Sequence, residues 1–337
     1  MKHFCSIMAG FLAFSLIFCL FGCAQTQTNA AAAQSTDTLP DRDMDTLSVG
    51  AVIIARDSVN EQQVYDFVSN LFEQQAALAA RHPIGALLDL DYAASVTEVP
   101  YHPGAARFFE EQGRQVSVKE GAGTGGVANL TMGTGNNGGN YFSFGSVLAD
   151  LTNEKCNFTV KAVTSAGSKS NLEDMEAGAV QLCFVQADMM SYAYTGTRLF
   201  AAPYQGFSVV AAVYQECMQI LTNDPALQTV DQLAGKRVCI GLNGSGVYYN
   251  ALDVLAAYGL AEDSIQPVYQ AFGDCADSLR EGSIDAAFIV AGLPTPAVAG
   301  LVGESDIGLV AMDQEHLNGL LASNPFYSIG TIPAGTY

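Results

Sequence analysis

Tryptophan is absent from this 337-residue chain, cations are few, and histidine is rarer still. Fourteen Lys and Arg stand against 34 Asp and Glu, a formal net charge of −20. So few cations cannot displace the counterions held on nucleic-acid phosphates, and an acidic surface is repelled by an anionic bilayer. Nucleic acid is therefore excluded as a partner, and so is electrostatic adsorption to membranes. A small anionic ligand is not excluded, because local donors decide that, not net charge. Catalytic signatures are also missing: there is no H-E-x-x-H, no G-x-S-x-G and no C-x-x-C. Past position 23 the histidines are His82, His102 and His316, which read as solvated or capping residues. Asp188 and Asp285 near strand ends read as loop caps, since no pair of acids stands out for general acid–base work. The expectation is a non-enzyme without metal or cofactor.

The first residues fix the compartment. Lys2 and His3 precede an apolar run from Ile7 to Phe21, and Leu20-Phe21-Gly22 leads into Cys23. A charged start, a short apolar stretch and a small residue before the cut describe a signal peptide over 1–22. The run is shorter than the roughly 20 residues a spanning helix needs. Leu-Phe-Gly-Cys resembles the lipobox of bacterial lipoproteins, with Cys23 as the lipidated residue, so contact with the membrane is expected through that anchor alone. Residues 23–46 open with Ala, Gln, Thr, Ser and Asn and read as a disordered tether, too poor in apolar side chains to offset its ordering entropy. Cys5 and Cys19 leave with the signal peptide. Of the remaining cysteines, Cys183 and Cys239 sit in apolar runs and read as small core residues, and no disulfide is assigned.

Beyond the tether the chain is long enough for two domains of ordinary size. Val49–Arg56 is a continuous apolar strand. Ser58–Ala80 shows helical spacing in Val64, Phe67, Val68, Leu71, Phe72 and Leu78, with Asn60 as cap. Residues 113–126 are dense in glycine and read as a flexible linker. Strands and helices then alternate, with strands over 129–133, 158–163, 180–185 and 207–213. The alternation restarts near 230, with strands over 237–241, 268–271 and 286–290. Two parallel-rich sheets are predicted.

Three small-residue loops stand between strands and helices. The first, Thr134, Gly135, Asn136, Asn137, Gly138, Gly139, Asn140 and Tyr141, contains Gly133-x-Gly135-x-x-Gly138. That formally fits a dinucleotide fingerprint, but nicotinamide cofactors are scarce outside the cytoplasm and lone matches are common. The shared physics is more informative: free amides at a helix start, with the dipole behind them, form an anion site. Thr164-Ser-Ala-Gly-Ser168 with Asn171, and Gly244-Ser245-Gly246 in the second unit, repeat the pattern. Ligands of open parallel sheets sit at the carboxyl ends of strands, so loops from both units are expected to converge on one cleft.

The run Met132-Gly-Thr-Gly-Asn-Asn-Gly-Gly-Asn-Tyr141, Thr164-x-x-Gly-Ser168 with Asn171, and Val185-Gln-Ala-Asp188 resembles the TAXI solute receptors of TRAP transporters. The likeness continues through Asp231-x-Leu-x-Gly-Lys-Arg237, Gly244-Ser-Gly246 with Asn250-Ala251, Asp285-Ala-Ala-Phe288, Gly292-x-Pro294 and Ile332-Pro-Ala-Gly-x-Tyr337. It implies a two-lobed α/β periplasmic-binding-protein fold, type II-like, with parallel-rich sheets and a central cleft. It also implies capture of a small organic anion, a carboxylate or amino acid, for delivery to a TRAP permease. A sensory protein that presents its ligand state to a membrane kinase is the alternative. The resemblance places the ligand at Thr134–Tyr141, Thr164, Ser168, Asn171, Gln186, Tyr204 near the hinge, and Gly244–Gly246. No Arg occurs in these loops, so neutral donors must serve. Lobe I is expected over 47–112 and 127–205, and lobe II over 206–337. Segments that end the family's sequences stand at the front here, such as Val49–Ala55 and His102-Pro-Gly-Ala105. The chain therefore resembles a circular permutation, joined through 113–126. That would leave a single covalent crossing between lobes and a loose hinge.

Overall fold

The computed structural model describes residues 39–337, so the signal peptide, Cys23 and most of the expected tether lie outside it. The chain opens with β1 (Met44–Arg56), α1 (Glu61–Glu73), α2 (Gln75–Arg81), α3 (Leu90–Ala93) and α4 (Pro103–Glu111). There follow β2 (Leu130–Gly133), α5 (Asn140–Lys155), β3 (Val160–Val163), α6 (Ser168–Glu176), β4 (Leu182–Gln186) and α7 (Ala187–Thr195). The long β5 (Phe207–Thr222) leads into β6 (Arg237–Cys239), α8 (Gly246–Ala257), β7 (Gln266–Val268), α9 (Phe272–Arg280) and β8 (Ala286–Ala291). The chain closes with α10 (Pro296–Val302), β9 (Gly308–Leu309), α11 (Gln314–Ser323) and β10 (Tyr327–Ile332). Asn60 caps α1 as expected, accepting from the Gln62 and Gln63 amides. The single helix expected over 58–80 is broken at Gln74, and Gln75 Nε2 beyond the break ties to the Leu88 carbonyl at 2.8 Å.

The two parallel units are present: β3-β2-β4 in one half and β7-β6-β8 in the other. Helix connections between strands produce this pairing, since a parallel pair needs a crossover. The units are not separate sheets. β1 and β5 lie antiparallel between them and join the units into one ten-stranded sheet, with β10 paired to β1 and β9 to β5 off the main path.

Two buried cores flank the junction, and both long strands contribute to each. Leu47 and Val49 of β1 belong to the core built around β6 and β8, while Ala51–Ala55 belong to the core around β2 and β4. On β5, Phe207 and Val209–Tyr214 serve the first core and Met218, Ile220 and Leu221 the second. The cores divide near Gly50 on β1 and Glu216 on β5, so each of these strands serves both. Where a single crossing is expected, two strands pass side by side through the junction: the 13 residues of β1, at about 3.3 Å each, run from one core to the other beside β5.

Residues 39–46 also differ from the expected tether. The Leu39 and Tyr337 backbones exchange two hydrogen bonds, of 2.9 and 3.0 Å, and Met44–Val49 pairs with β10. The apolar side of β1 supplies the burial that orders this stretch. Segment 113–126 is not a free linker either. The Tyr101 amide donates to the Ser117 carbonyl at 2.7 Å, the Lys119 amide to the Tyr101 carbonyl at 2.8 Å, and the Gly123 amide to the Asp57 carbonyl at 2.8 Å. Its glycines serve turns against lobe I. Cys239 and Cys275, to which no disulfide was assigned, are bonded and tie β6 to α9. The two cysteines are 36 residues apart, and only the βα packing brings them together.

Candidate functional site

A cavity of about 40 Å³ lies where the two halves meet. One wall comes from Gly135, Asn136, Gly139, Asn140 and Tyr141, from Ala166, Gly167 and Ser168, and from Gln186 at the end of β4. The other wall is Ser245, Gly246, Val247, Phe272, Val290 and Ala291, with Glu216 on the crossing strand between them. At about 10–15 Å³ per enclosed water-sized group, the space holds only a few such groups. A larger open groove of about 530 Å³, bounded by Leu87, Tyr92, Leu293 and Pro294 among others, lacks these helix starts.

The helix starts explain what the cavity can hold. α5 begins after Gly139 and α6 after Gly167, and neither has a side chain capping its first amides. The first N–H groups of a helix have no partner within it. Such amides, with the positive end of the helix dipole behind them, favour an anionic group. α8 is different: the Ser245 hydroxyl accepts from the Tyr248 amide at 3.1 Å, while Gly246 and Val247 form the wall. Positive φ at Gly167 (121°) and Gly138 (89°) shapes two of these loops, in a region only glycine enters freely.

The structure brings together Gly135, Asn136, Gly139, Asn140, Tyr141, Ser168, Gln186, Ser245 and Gly246, all expected at the site. The other expected residues stand elsewhere. Thr134 and Asn171 are fully buried beneath the loops, where the Thr134 hydroxyl donates to the Val163 carbonyl at 2.7 Å. Asn171 Nδ2 donates to the Thr134 and Phe184 carbonyls at 2.6 and 2.7 Å, so it props the loop rather than lining the cavity. Asn137 and Thr164 line a separate surface pocket with Ser165 and Asp274. Tyr204 packs its ring 5.3 Å from Phe207, outside the cavity.

Gly138 and Gly244 act as seams between the halves. The Ala297 amide donates to the Gly138 carbonyl at 3.1 Å, and the Ser170 amide to the Gly244 carbonyl at 3.2 Å. The Phe272 amide donates to Asn136 Oδ1, and Asn140 Nδ2 to the Pro294 carbonyl, both at 3.1 Å. Farther along, Asn250 Nδ2 donates to Asp188 Oδ2 at 3.1 Å, and Arg198 holds Asp253 with both nitrogens. The cleft is closed on itself.

Sequence reasoning missed Glu216. It is buried in the cavity wall, where the Tyr141 hydroxyl donates to its Oε2 at 3.2 Å and the Gln186 side chain bonds it as well. Burial pushes its carboxyl up to about 8, against the pull of those two donors. The available signal was one acid in an otherwise uncharged strand, Phe207–Thr222. Asp188 is pushed up to about 6, again chiefly by burial. Among the described residues no group of His, Cys, Asp and Glu could hold a metal ion, and no helix is long and apolar enough to cross a membrane.

The chain belongs to the NMT1-like family, whose model matches residues 25–113 and 132–337. Among solved structures it is similar to the alkanesulfonate-binding protein SsuA from Xanthomonas axonopodis pv. citri bound to MOPS. That match has 19% identity over 55% of this chain and 61% of that one, with a TM-score of 0.38. The periplasmic aliphatic sulphonate binding protein SsuA from Escherichia coli matches at 19% over 55% and 60%, with a TM-score of 0.36. Holo ArgBP from T. maritima matches at 15% over 62% and 80%, with a TM-score of 0.34. The chain thus spans about 60% of the length of the two SsuA proteins.

Proposed function

We propose that this protein is an extracytoplasmic solute receptor. It captures a small organic anion, a carboxylate or amino acid, between its halves and delivers it to a membrane permease. The observation that carries the reading is the enclosed cavity walled by both halves, into which the uncapped starts of α5 and α6 face. Membership of the NMT1-like family agrees with it, and the TAXI resemblance in the loops names the permease as TRAP-type. Cys23 is the anchor in this reading, with its acyl chains contributing about 0.8 kcal/mol per buried methylene. The permuted order of segments is part of the same proposal. The paired Leu39 and Tyr337 backbones agree with it. Permutation requires ends that lie together at the surface.

The test is a thermal-shift screen of small carboxylates and amino acids. Native-state binding at a hundredfold excess over Kd stabilises by about 2.7 kcal/mol, which appears as a rise of several degrees in Tm. A flat response across the whole panel would reject the receptor reading.

A further inference from the structure

Two acceptors in the cavity wall, Gln186 Oε1 and Asn140 Oδ1, have no donor, and the Glu216 carboxyl lines the same space. Glu216, Gln186 and Asn140 are 3%, 2% and 1% exposed, so solvent does not serve them. Asn140 Nδ2 donates to the Pro294 carbonyl at 3.1 Å, which leaves Oδ1 without a partner. Gln186 Oε1 is unpaired as well. A buried acceptor without a donor is destabilising, so a wall with two of them is shaped for a donor-rich ligand. The lining residues include no Lys, Arg or His, and Glu216 is the one acid among them.

We infer that the solute is a small α-amino acid zwitterion, and that Glu216 selects it by accepting its ammonium together with Gln186 Oε1 and Asn140 Oδ1. The carboxylate of the same ligand meets the free amides at the starts of α5 and α6. This inference rests on the receptor reading and narrows it: a plain carboxylate satisfies the helix starts but neither unpaired acceptor. An ammonium group has three N–H donors and supplies the cation the cavity lacks.

Proton release follows from the arrangement. With the cavity free of solute, Glu216 holds its proton at neutral pH, because burial raises its carboxyl to about 8. An ammonium beside it favours the carboxylate, so the proton leaves to solvent as the ion pair forms. The groups facing Glu216 do not obscure this. Tyr141 of α5, Tyr92 of α3 and Tyr214 of β5 are all raised above the usual phenol range, and Cys217 is raised to about 11. The β1 residues opposite, Ser48, Val49 and Gly50, carry no charge. Asp188 at the start of α7, raised to about 6, is already ionised at pH 7.5.

Calorimetric titration with glycine and glycolate, alanine and lactate, and serine and glycerate tests the inference, since each pair differs chiefly in amine against hydroxyl. The expected result is at least a hundredfold preference for the amine in one pair. Between pH 7 and 7.5, heats measured in phosphate and Tris should report net proton release, with affinity rising as pH rises. Glu216→Gln should abolish the proton release and most of the preference for the amine. Its melting temperature at pH 6 confirms that it folds. Equal binding of hydroxy acids, or proton uptake on binding, overturns the assignment of Glu216 but leaves the receptor reading standing. No binding by any carboxylate or amino acid overturns both.

Discussion

At the scale of residues, the buried titratable groups divide the pH axis between them. Glu216 is raised from 4.5 to about 8 and Asp188 from 3.8 to about 6, so in those ranges the folded state binds protons that the unfolded chain has released. Stability falls with rising pH wherever the native state binds more protons. His102 works in the opposite direction. Its Nδ1 accepts from the Gly104 amide and its Nε2 faces the Val59 carbonyl, and burial lowers it to about 4. Between pH 4 and 6.5 it binds fewer protons folded than unfolded, which offsets Asp188. From pH 6.5 to 8 Glu216 acts alone among these three. The melting temperature of the solute-free protein is therefore expected to fall across that window, and Glu216→Gln to flatten it. Scanning calorimetry at half-unit steps checks this; an unchanged slope in the variant would contradict the assignment.

At the scale of elements, closure depends on how nearly α8 can approach the end of β4. A Cβ placed on Gly246 would stand 1.6 Å from Gln186 Oε1 and 3.2 Å from the Ser168 hydroxyl, contacts that cross the cleft. Each half is intact without them, because Gly246 serves the second half and Gln186 the first. Gly246→Ala is expected to leave the fold and circular dichroism unchanged, hold the halves apart and weaken solute binding by a hundredfold or more. Solution scattering should give a larger radius of gyration than the parent with saturating solute. A variant that closes normally would show that Gln186 yields.

At the scale of the whole molecule, β1 and β5 decide the mechanics. They run antiparallel from Ser48 to Arg56, with register shifts beside Ala51 and Ile53 close to where the cores meet. Two crossing strands with irregular pairing near that point place the bend there and oppose twisting. The ends of the described chain add a second property. Leu39 and Tyr337 pair directly, while 113–126 bridges the first half from outside. A chain with Tyr337 joined to Leu39 and opened between Glu120 and Gly121 is expected to fold and to bind the same solute within a few-fold. Chemical denaturation and the thermal-shift response measure both; failure to fold would show that 113–126 is needed for assembly.

The alternating strands and helices, the restart near residue 230 and the small-residue loops were legible in the sequence, because hydrophobic period and turn chemistry act locally. The loop residues were legible as a group for the same reason, including Gly135, Asn140 and Ser168. Which of them face the cavity was not. Asn171 and Thr134 have the right chemistry, but the packing of α6 on β4 and β2 turns them beneath the loop. Glu216 was hidden by its own context, since a lone acid in an apolar strand has no local signature of function. The Cys239–Cys275 pair and the double crossing were hidden too, because both depend on chain segments that meet only after folding. The sequence by itself determined the local elements and the uncapped, glycine-rich helix starts, through propensity and backbone geometry. Only the tertiary structure decided where the halves divide and which acid stands in the cleft, because burial and long-range contact are properties of the assembled sheet.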